Sequence, residues 1–171
     1  MNASVKSTTH IMVSTDPKLE LRAVGQKDLE FLRQWKNKQK QFFFHQEEIS
    51  ASQQIKWFVS FVKRPYDFMF MTVYEQQVFG CMGIRWQEDH WDIYNVILGQ
   101  MSFGGRGLMG KAFAALLTYA NTLKPALISL QVLKHNPAVG WYQKQGFEIT
   151  ATHETYFSMS YQSKLDKQAN T

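Results

Sequence analysis

The sequence predicts an α/β domain, an α+β mixed sheet with helices packed on its faces. Segments with strand and helix periodicity follow one another in the order β-α-α-β-β-β-α-β-α-β, with room for a further strand. Hydrophobic residues make up 44% of the 171 residues and aromatic residues 15%, which is typical of a packed domain. A chain of this length normally forms one domain. We therefore expect a central twisted sheet of six to seven strands flanked by about four helices.

The first part of the domain is predicted as one strand followed by two helices. Apolar and polar residues alternate over residues 19–24, as in a half-buried strand. Asp28 is a suitable N-cap for the first helix, which carries apolar residues at helical spacing. Ser50 or Ser52 can cap the second helix, which Pro65 ends.

Three strands and a helix are predicted in the middle of the chain. Residues 68–74 and 78–86 flank a short polar turn and form a hairpin, and a strand from Trp91 to about Gly99 extends the same sheet. Good helix formers then fill residues 112–120.

The last elements are a buried strand, a short helix and two final strands. Residues 126–133 form an apolar, β-branched run that suits a buried strand. Pro137 fits the start of a short helix over residues 138–144, and residues 147–161 form the final strands.

The expected organisation is a flexible leader over residues 1–16, a single domain over residues 17–162 and a polar tail over residues 163–171. The leader lacks the apolar stretch of a secretory signal, and no run of about 18 apolar residues predicts a membrane span. We therefore expect a cytoplasmic protein with no membrane partner.

Four of the ten glycines fall within seven residues, between a predicted strand and a predicted helix: Gly104, Gly105, Gly107 and Gly110. Residues Gly104–Gly110 are called the glycine-rich turn below. Glycines there let the backbone adopt positive φ and approach a ligand closely, and the unpaired N–H groups that begin a helix favour a phosphate. A purely structural turn remains the alternative. The turn is not a Walker A loop, because Ala112 follows Lys111.

A second informative stretch lies near the end of the domain. Asn136 follows the buried strand, and Tyr142 lies six residues later in the short helix. Both side chains can face a cleft beside the glycine-rich turn. Asn136 before a proline is also explained by a turn alone, and Tyr142 by packing.

Together the two stretches resemble the GNAT superfamily of acyl-CoA-dependent N-acetyltransferases. The first is similar to that family's Arg/Gln-x-x-Gly-x-Gly/Ala loop. The second is similar to its Asn-x-x-Ala-x-x-x-Tyr-x-x-x-Gly-Phe segment, here Asn136, Ala138, Tyr142, Gly146 and Phe147, with Ala138 one residue closer to Asn136 than usual. The element order matches the family fold over roughly residues 19–161. With Gly107 on the central glycine, Gly104 replaces the usual Arg or Gln and Met109 the usual Gly or Ala.

The resemblance implies transfer of an acetyl group from acetyl-CoA to a primary amine by direct attack, through a tetrahedral intermediate. It implies that the strand ending near Ile97 and Gly99 splays from its neighbour so that pantetheine pairs with it, leaving a free N–H for the oxyanion. Asn136 would hydrogen-bond the cofactor or a water. The pyrophosphate would be held by Gly104, Gly105, Arg106, Gly107, Leu108, Met109 and Gly110.

Tyr142 is the predicted general acid, because a phenol is reasonably matched to a leaving thiolate. The general base stays open. Tyr94 stands where relatives often carry a Glu, Asp92 is two residues earlier, and a water relay is an equal alternative. Cys81, the only cysteine, lies in an apolar strand and is interpreted as core, and no metal site is predicted.

The acceptor is predicted from four residues: Trp35, Asn37, Phe44 and Tyr94. The pattern around residues 35–37 and 49–58 resembles GNAT enzymes that act on nucleotide-linked amino sugars, although Gln54 stands where those enzymes have His. The Trp-x-Asn pair also occurs in relatives that acetylate protein N-termini. The run Phe42–Phe44 is interpreted as packing or as a lid over the acceptor.

Lys and Arg outnumber Asp and Glu by 19 to 14, which gives a net charge of +5. This charge favours CoA and a phosphate-bearing acceptor. The basic residues are scattered, so no nucleic-acid partner is expected. The alternatives are acetylation of ribosomal-type protein N-termini or small-molecule amines, and a non-catalytic acyl-CoA-binding module. The exposed strands of the last third permit a homodimer.

Overall fold

The computed structural model describes residues 9–161, which form one mixed sheet with helices on both faces. Within these residues the strands are β1 (His10–Met12), β2 (Leu19–Ala23), β3 (Asp67–Tyr74), β4 (Gln77–Gln87), β5 (His90–Leu98), β6 (Ile128–Leu133), β7 (Phe147–Thr152) and β8 (Tyr156–Tyr161). The helices are α1 (Leu29–Lys38), α2 (Ala51–Phe61), α3 (Leu108–Leu123) and α4 (Ala138–Lys144).

The strand order is β1-β2-β3-β4-β5-β6-β8-β7, and β5–β6 is the parallel pair among otherwise antiparallel neighbours. The mixed sheet and the four helices of the described part are as predicted. The sheet has eight strands rather than six to seven, because β1 lies in the segment expected to be a flexible leader. His10 is opposite Arg22 and Met12 is opposite Glu20. Residues 1–8 of that leader and the tail 163–171 lie outside the described residues.

Each face of the sheet carries its own apolar core. On one face, α3 and α4 pack against the strands through residues such as Phe113 and Tyr142. On the other face, α1 and α2 do so through residues such as Trp35 and Phe61. Side chains alternate along a strand, so β4 and β5 contribute to both cores.

Two helix starts show how local sequence sets the boundaries. Ser50 caps α2: its Oγ accepts from the Gln53 N–H at 3.2 Å, and the Gln53 side chain accepts from the Ser50 N–H at 2.8 Å. Asp28 precedes α1 but makes no side-chain cap. Its buried carboxylate instead accepts from both terminal nitrogens of Arg22, at 2.8 and 2.9 Å, and from the Gly25 N–H.

The parallel strands β5 and β6 pair only at their beginnings. Residues 91–93 are opposite residues 128–130, and no further pair follows, so the predicted divergence of the two strands is present. Just beyond, Asn95 adopts φ +49° in a bulge, because Tyr94 pairs with Gly83 while Ile97 pairs with Cys81. The sheet is therefore open between the ends of β5 and β6.

The end of β5 is held against α1 by a close approach at Gly99. A Cβ at Gly99 would lie 2.1 Å from the Trp35 ring. We expect Gly99→Ala to lower the free energy of unfolding by about 1–3 kcal/mol, because the ring or the strand has to move. Chemical denaturation measures the change.

The matched control is Gly140→Ala, at a position in α4 where an added Cβ meets nothing within 4 Å. We expect no loss there, and a gain of up to about 1 kcal/mol from helix propensity. Equal stability of the two variants would contradict the packing described for Trp35.

Candidate active site

A cleft of about 660 Å³ lies where β5 and β6 diverge. Its walls come from the end of β5, the glycine-rich turn, the start of α4 and the segment that follows α1. It brings together most of the predicted site: Gly104, Gly105, Gly107, Leu108, Met109, Gly110, Asn136 and Tyr142. Residues far apart in sequence thus meet at one opening in the sheet.

The glycine-rich turn is shaped to approach an anion. Gly105 and Gly107 both have φ +72°, and a Cβ at either position would meet nothing within 4 Å, so the space above them is open. The helical hydrogen bond from the Lys111 N–H to the Gly107 carbonyl begins α3, which leaves the preceding amides without helical partners. These amides and the helix dipole fit a pyrophosphate.

Two predicted details of this turn differ from the structure. The Gly104 N–H donates to the Met101 carbonyl at 2.9 Å, so the donors begin at Gly105. The Arg106 guanidinium lies 5.0 Å from the Tyr74 ring and 5.3 Å from the Phe103 ring, and Arg106 does not line the cleft. A phosphate at this turn would therefore meet backbone N–H groups rather than the Arg106 side chain.

Tyr142 is buried at the cleft wall, with 8% of its surface exposed. Its ring packs among Phe113, Trp141 and Phe147. Its hydroxyl makes no hydrogen bond within residues 9–161. Burial raises the pKa of Tyr142 above its usual value, so the hydroxyl stays protonated and can donate.

Asn136 joins two parts of the cleft wall. Its Oδ1 accepts from the Ala138 N–H at 2.9 Å, and its Nδ2 donates to the Phe42 carbonyl at 3.3 Å. The neighbouring His135 contacts the Gln41 carbonyl through Nε2 at 2.8 Å. The short turn after α1 is thus tied across the opening to the start of α4.

Two residues at the end of β5 line the cleft, although the sequence analysis did not single them out. Val96 and Leu98 line it, whereas Ile97 is 2% exposed and faces the α1–α2 core. The Gly99 N–H donates to the Phe79 carbonyl, so Gly99 does not supply the free N–H that is predicted near the end of this strand. Gln39, also in the wall, donates its Nε2 to the Leu98 carbonyl at 3.0 Å.

Comparison with known proteins identifies this arrangement. The family model for the acetyltransferase (GNAT) domain matches residues 18–148. The chain belongs to the GNAT acetyltransferase family. The resemblance to the GNAT superfamily is thereby confirmed, and the chain is an N-acetyltransferase of that family, whose members use acetyl-CoA. No curated protein sequence matches it.

Solved structures with low sequence identity share the GNAT fold. The acetyltransferase from Salmonella typhimurium that modifies the N-terminal serine of ribosomal protein L7/L12 has 20% identity and a TM-score of 0.70, covering 89% of this chain and 96% of its own. The Vibrio cholerae spermidine N-acetyltransferase, solved with CoA and spermine, has 18% identity and a TM-score of 0.73, covering 85% and 95%.

The predicted acceptor residues of this GNAT acetyltransferase lie around the cleft rather than in its lining. Trp35 is 8% exposed and packs on Gly99. The Asn37 side chain bonds both the N–H and the carbonyl of Ile49, at 2.8 and 2.9 Å. Phe44 is exposed, with its ring 5.3 Å from that of Tyr156.

The two residues considered as the base lie in a polar network on the α1–α2 face. The Tyr94 hydroxyl donates to the buried Asp67, and burial raises the Tyr94 pKa well above its usual value. Asp92 accepts from Arg85 at 2.9 Å. Neither Tyr94 nor Asp92 lines the cleft.

Three further observations concern the Cys81 thiol, a metal site and a membrane-spanning helix. Cys81 is fully buried, and burial raises the pKa of its thiol to about 12. Within residues 9–161 no group of three or more His, Cys, Asp or Glu side chains could hold a metal ion. No helix in that range has the length and hydropathy needed to cross a membrane.

Gly107→Ala tests whether the shape of the glycine-rich turn binds CoA. A left-handed conformation costs an alanine about 1–2 kcal/mol, so the turn should relax and redirect its N–H groups. We expect the dissociation constant of CoA, measured by calorimetry, to rise roughly tenfold. Gly140→Ala is the control, and an unchanged constant for Gly107→Ala would contradict the role of the turn.

Proposed function

We propose that the chain transfers the acetyl group of acetyl-CoA to a primary amine at the opening between β5 and β6. The observation that carries the proposal is the single cleft that joins the glycine-rich turn, the free edge of β5 and Tyr142. Acetyl-CoA supplies a thioester that a neutral amine attacks directly. The chain's own residues bind, orient and move protons.

The glycine-rich turn binds phosphate through its backbone. Gly105 and Gly107 leave open space above the turn, and the N-terminal amides of α3, which have no helical partner, lie beside it. Gly104 in place of the family's Arg or Gln removes a side chain but no backbone N–H group. The Gly104 N–H donates to the Met101 carbonyl, so the donors proposed for phosphate begin at Gly105. The edge of β5 at Val96 offers main-chain groups to an extended ligand, whereas the Leu98 carbonyl already accepts from the Gln39 side chain.

Tyr142 acts as the general acid. It lines the cleft, its hydroxyl has no partner within the described residues, and its raised pKa keeps the proton in place until a thiolate forms nearby. Asn136 positions the wall, since both atoms of its amide are engaged by backbone groups.

The proton of the attacking amine leaves through water. Among the residues that line the cleft there is no Asp, Glu or His side chain. Tyr94 and Asp92 are held by Asp67 and Arg85 outside it. We therefore propose that a relay of water molecules carries this proton, which is the alternative to a protein base that the sequence left open.

The finer proposal for the acceptor is a nucleotide-linked amino sugar. The sequence pattern at residues 35–37 and 49–58 supports it, as does the net charge of +5. Structural neighbours that act on a ribosomal protein and on spermidine make N-terminal peptides and polyamines the alternatives.

Tyr142→Phe tests the general acid. We expect kcat to fall about 100-fold or more, because the thiolate then leaves without a proton donor, while CoA still binds. Tyr161→Phe, which changes a tyrosine outside the cleft, is the control. Unchanged turnover in Tyr142→Phe would show that the tyrosine only packs.

Thiol release from acetyl-CoA with a panel of amines tests the function itself. The panel contains a nucleotide-linked amino sugar, a ribosomal N-terminal peptide, spermidine and an aminoglycoside. We expect release that depends on one class, with the amino sugar preferred. Binding of acetyl-CoA without release for any amine would favour the non-catalytic module, and no binding at all would refute the proposal.

A further inference from the structure

A second, smaller pocket lies on the opposite face of the sheet, between α1, α2 and the bulge in β5. Its volume is about 110 Å³. Its polar lining comes from Lys36, Gln54 and Asn95, and Trp57 and Ile97 are among its apolar lining residues. Since a water molecule occupies about 30 Å³ of liquid, this space equals roughly three or four waters and is large enough for one small polar group.

Lys36 is a cation without a carboxylate partner in the described part of the chain. Its Nζ donates to Asn95 Oδ1 at 2.6 Å and lies 4.9 Å from the centre of the Phe43 ring. Desolvation lowers its pKa, and no Asp or Glu opposes that shift. A partly buried cation in this state is stabilised by an anion placed beside it.

The other two polar side chains of the pocket are amides, each of which can donate through its –NH2 group. Gln54 is 8% exposed, and its side-chain amide makes no hydrogen bond within residues 9–161. Asn95 uses its Oδ1 to accept from Lys36, which leaves the Nδ2 of the same amide to donate. One ammonium and two amide groups therefore face the same small space, and an oxyanion is the group that satisfies all three.

We propose that this pocket binds the oxyanion of the amine acceptor, a carboxylate or a phosphate group. The proposal rests on the proposed function and narrows its substrate class to amines that carry a negative charge.

The position of the pocket links it to the cleft. Along β5, Ile97 faces the pocket while Val96 and Leu98 face the cleft. The pairing of β5 with β6 ends at Ile93, so the sheet is open beside the part of β5 that has the pocket on one face and the cleft on the other. An acceptor held by its anion on the α1–α2 face can present its amine through that opening.

The competing interpretation is that Lys36 only holds the bulge at Asn95. Pairs of acceptors with and without a negatively charged group distinguish the two interpretations. The pairs are phosphoethanolamine with ethanolamine, and β-alanine with β-alaninamide. We expect the wild type to prefer the charged member of at least one pair, and the identity of that pair distinguishes phosphate from carboxylate.

In Lys36→Met, which keeps the apolar stem, the ratio of kcat/KM for the charged and uncharged members should fall at least tenfold. Gln54→Leu leaves the Lys36–Asn95 bond in place and should lower the same ratio of kcat/KM values. It tests the proposal if Lys36→Met does not fold. Lys56→Met, on the exposed side of α2, is the control. An equal loss for both members, or no preference in the wild type, would overturn the proposal.

A measurement without turnover separates this proposal from the proposed function. In protein with ¹³C-labelled lysine, the Lys36 signal is assigned by its loss in Lys36→Met. Titration with acetate and with inorganic phosphate should then shift that signal saturably and leave that of Lys56 in place. Absence of a shift, or an equal shift at Lys56, would refute the anion pocket even if acetyl transfer is found. A shift without any acetyl transfer would refute only the proposed function.

Discussion

The early end of pairing between β5 and β6 is the constraint on which the rest of the structure depends. The two strands share only the pairs that begin at Trp91–Ile128 and end at Ile93–Leu130. A closed sheet would place backbone against backbone along their whole length and leave no cleft. Because they diverge, main-chain polar groups at the end of β5 meet an open space, where they need a partner other than a strand.

Several contacts keep the opening in place. The bulge at Asn95 turns the end of β5, and the Trp35 ring on Gly99 fixes it against α1. On the other side, Asn136 and His135 bond the turn that follows α1. The cleft is thus framed by interactions between distant parts of the chain, and its shape is built into the fold before any ligand binds.

The sequence predicted the periodic elements and the family, since these depend on local patterns and on motif residues at fixed spacing. It missed β1, which is three residues long and shows no alternation to read. It placed the start of α3 at residue 112 instead of Leu108, because glycine propensity hides a helix whose first turn lies within the glycine-rich turn. The Gln39–Leu98 contact joins residues 59 positions apart, as does the Lys36–Asn95 contact, and no local pattern encodes either.

Binding of a ligand at the open edge of β5 also stabilises the folded state. A ligand that bonds this edge completes a ladder that the polypeptide leaves unfinished, so it binds the native state and not the unfolded chain. By thermodynamic linkage the melting temperature then rises with ligand concentration, and a concentration 100 times the dissociation constant adds about 2.7 kcal/mol. In the cell, the metabolic supply of that ligand would set how long each molecule survives proteolysis, as well as how fast it works.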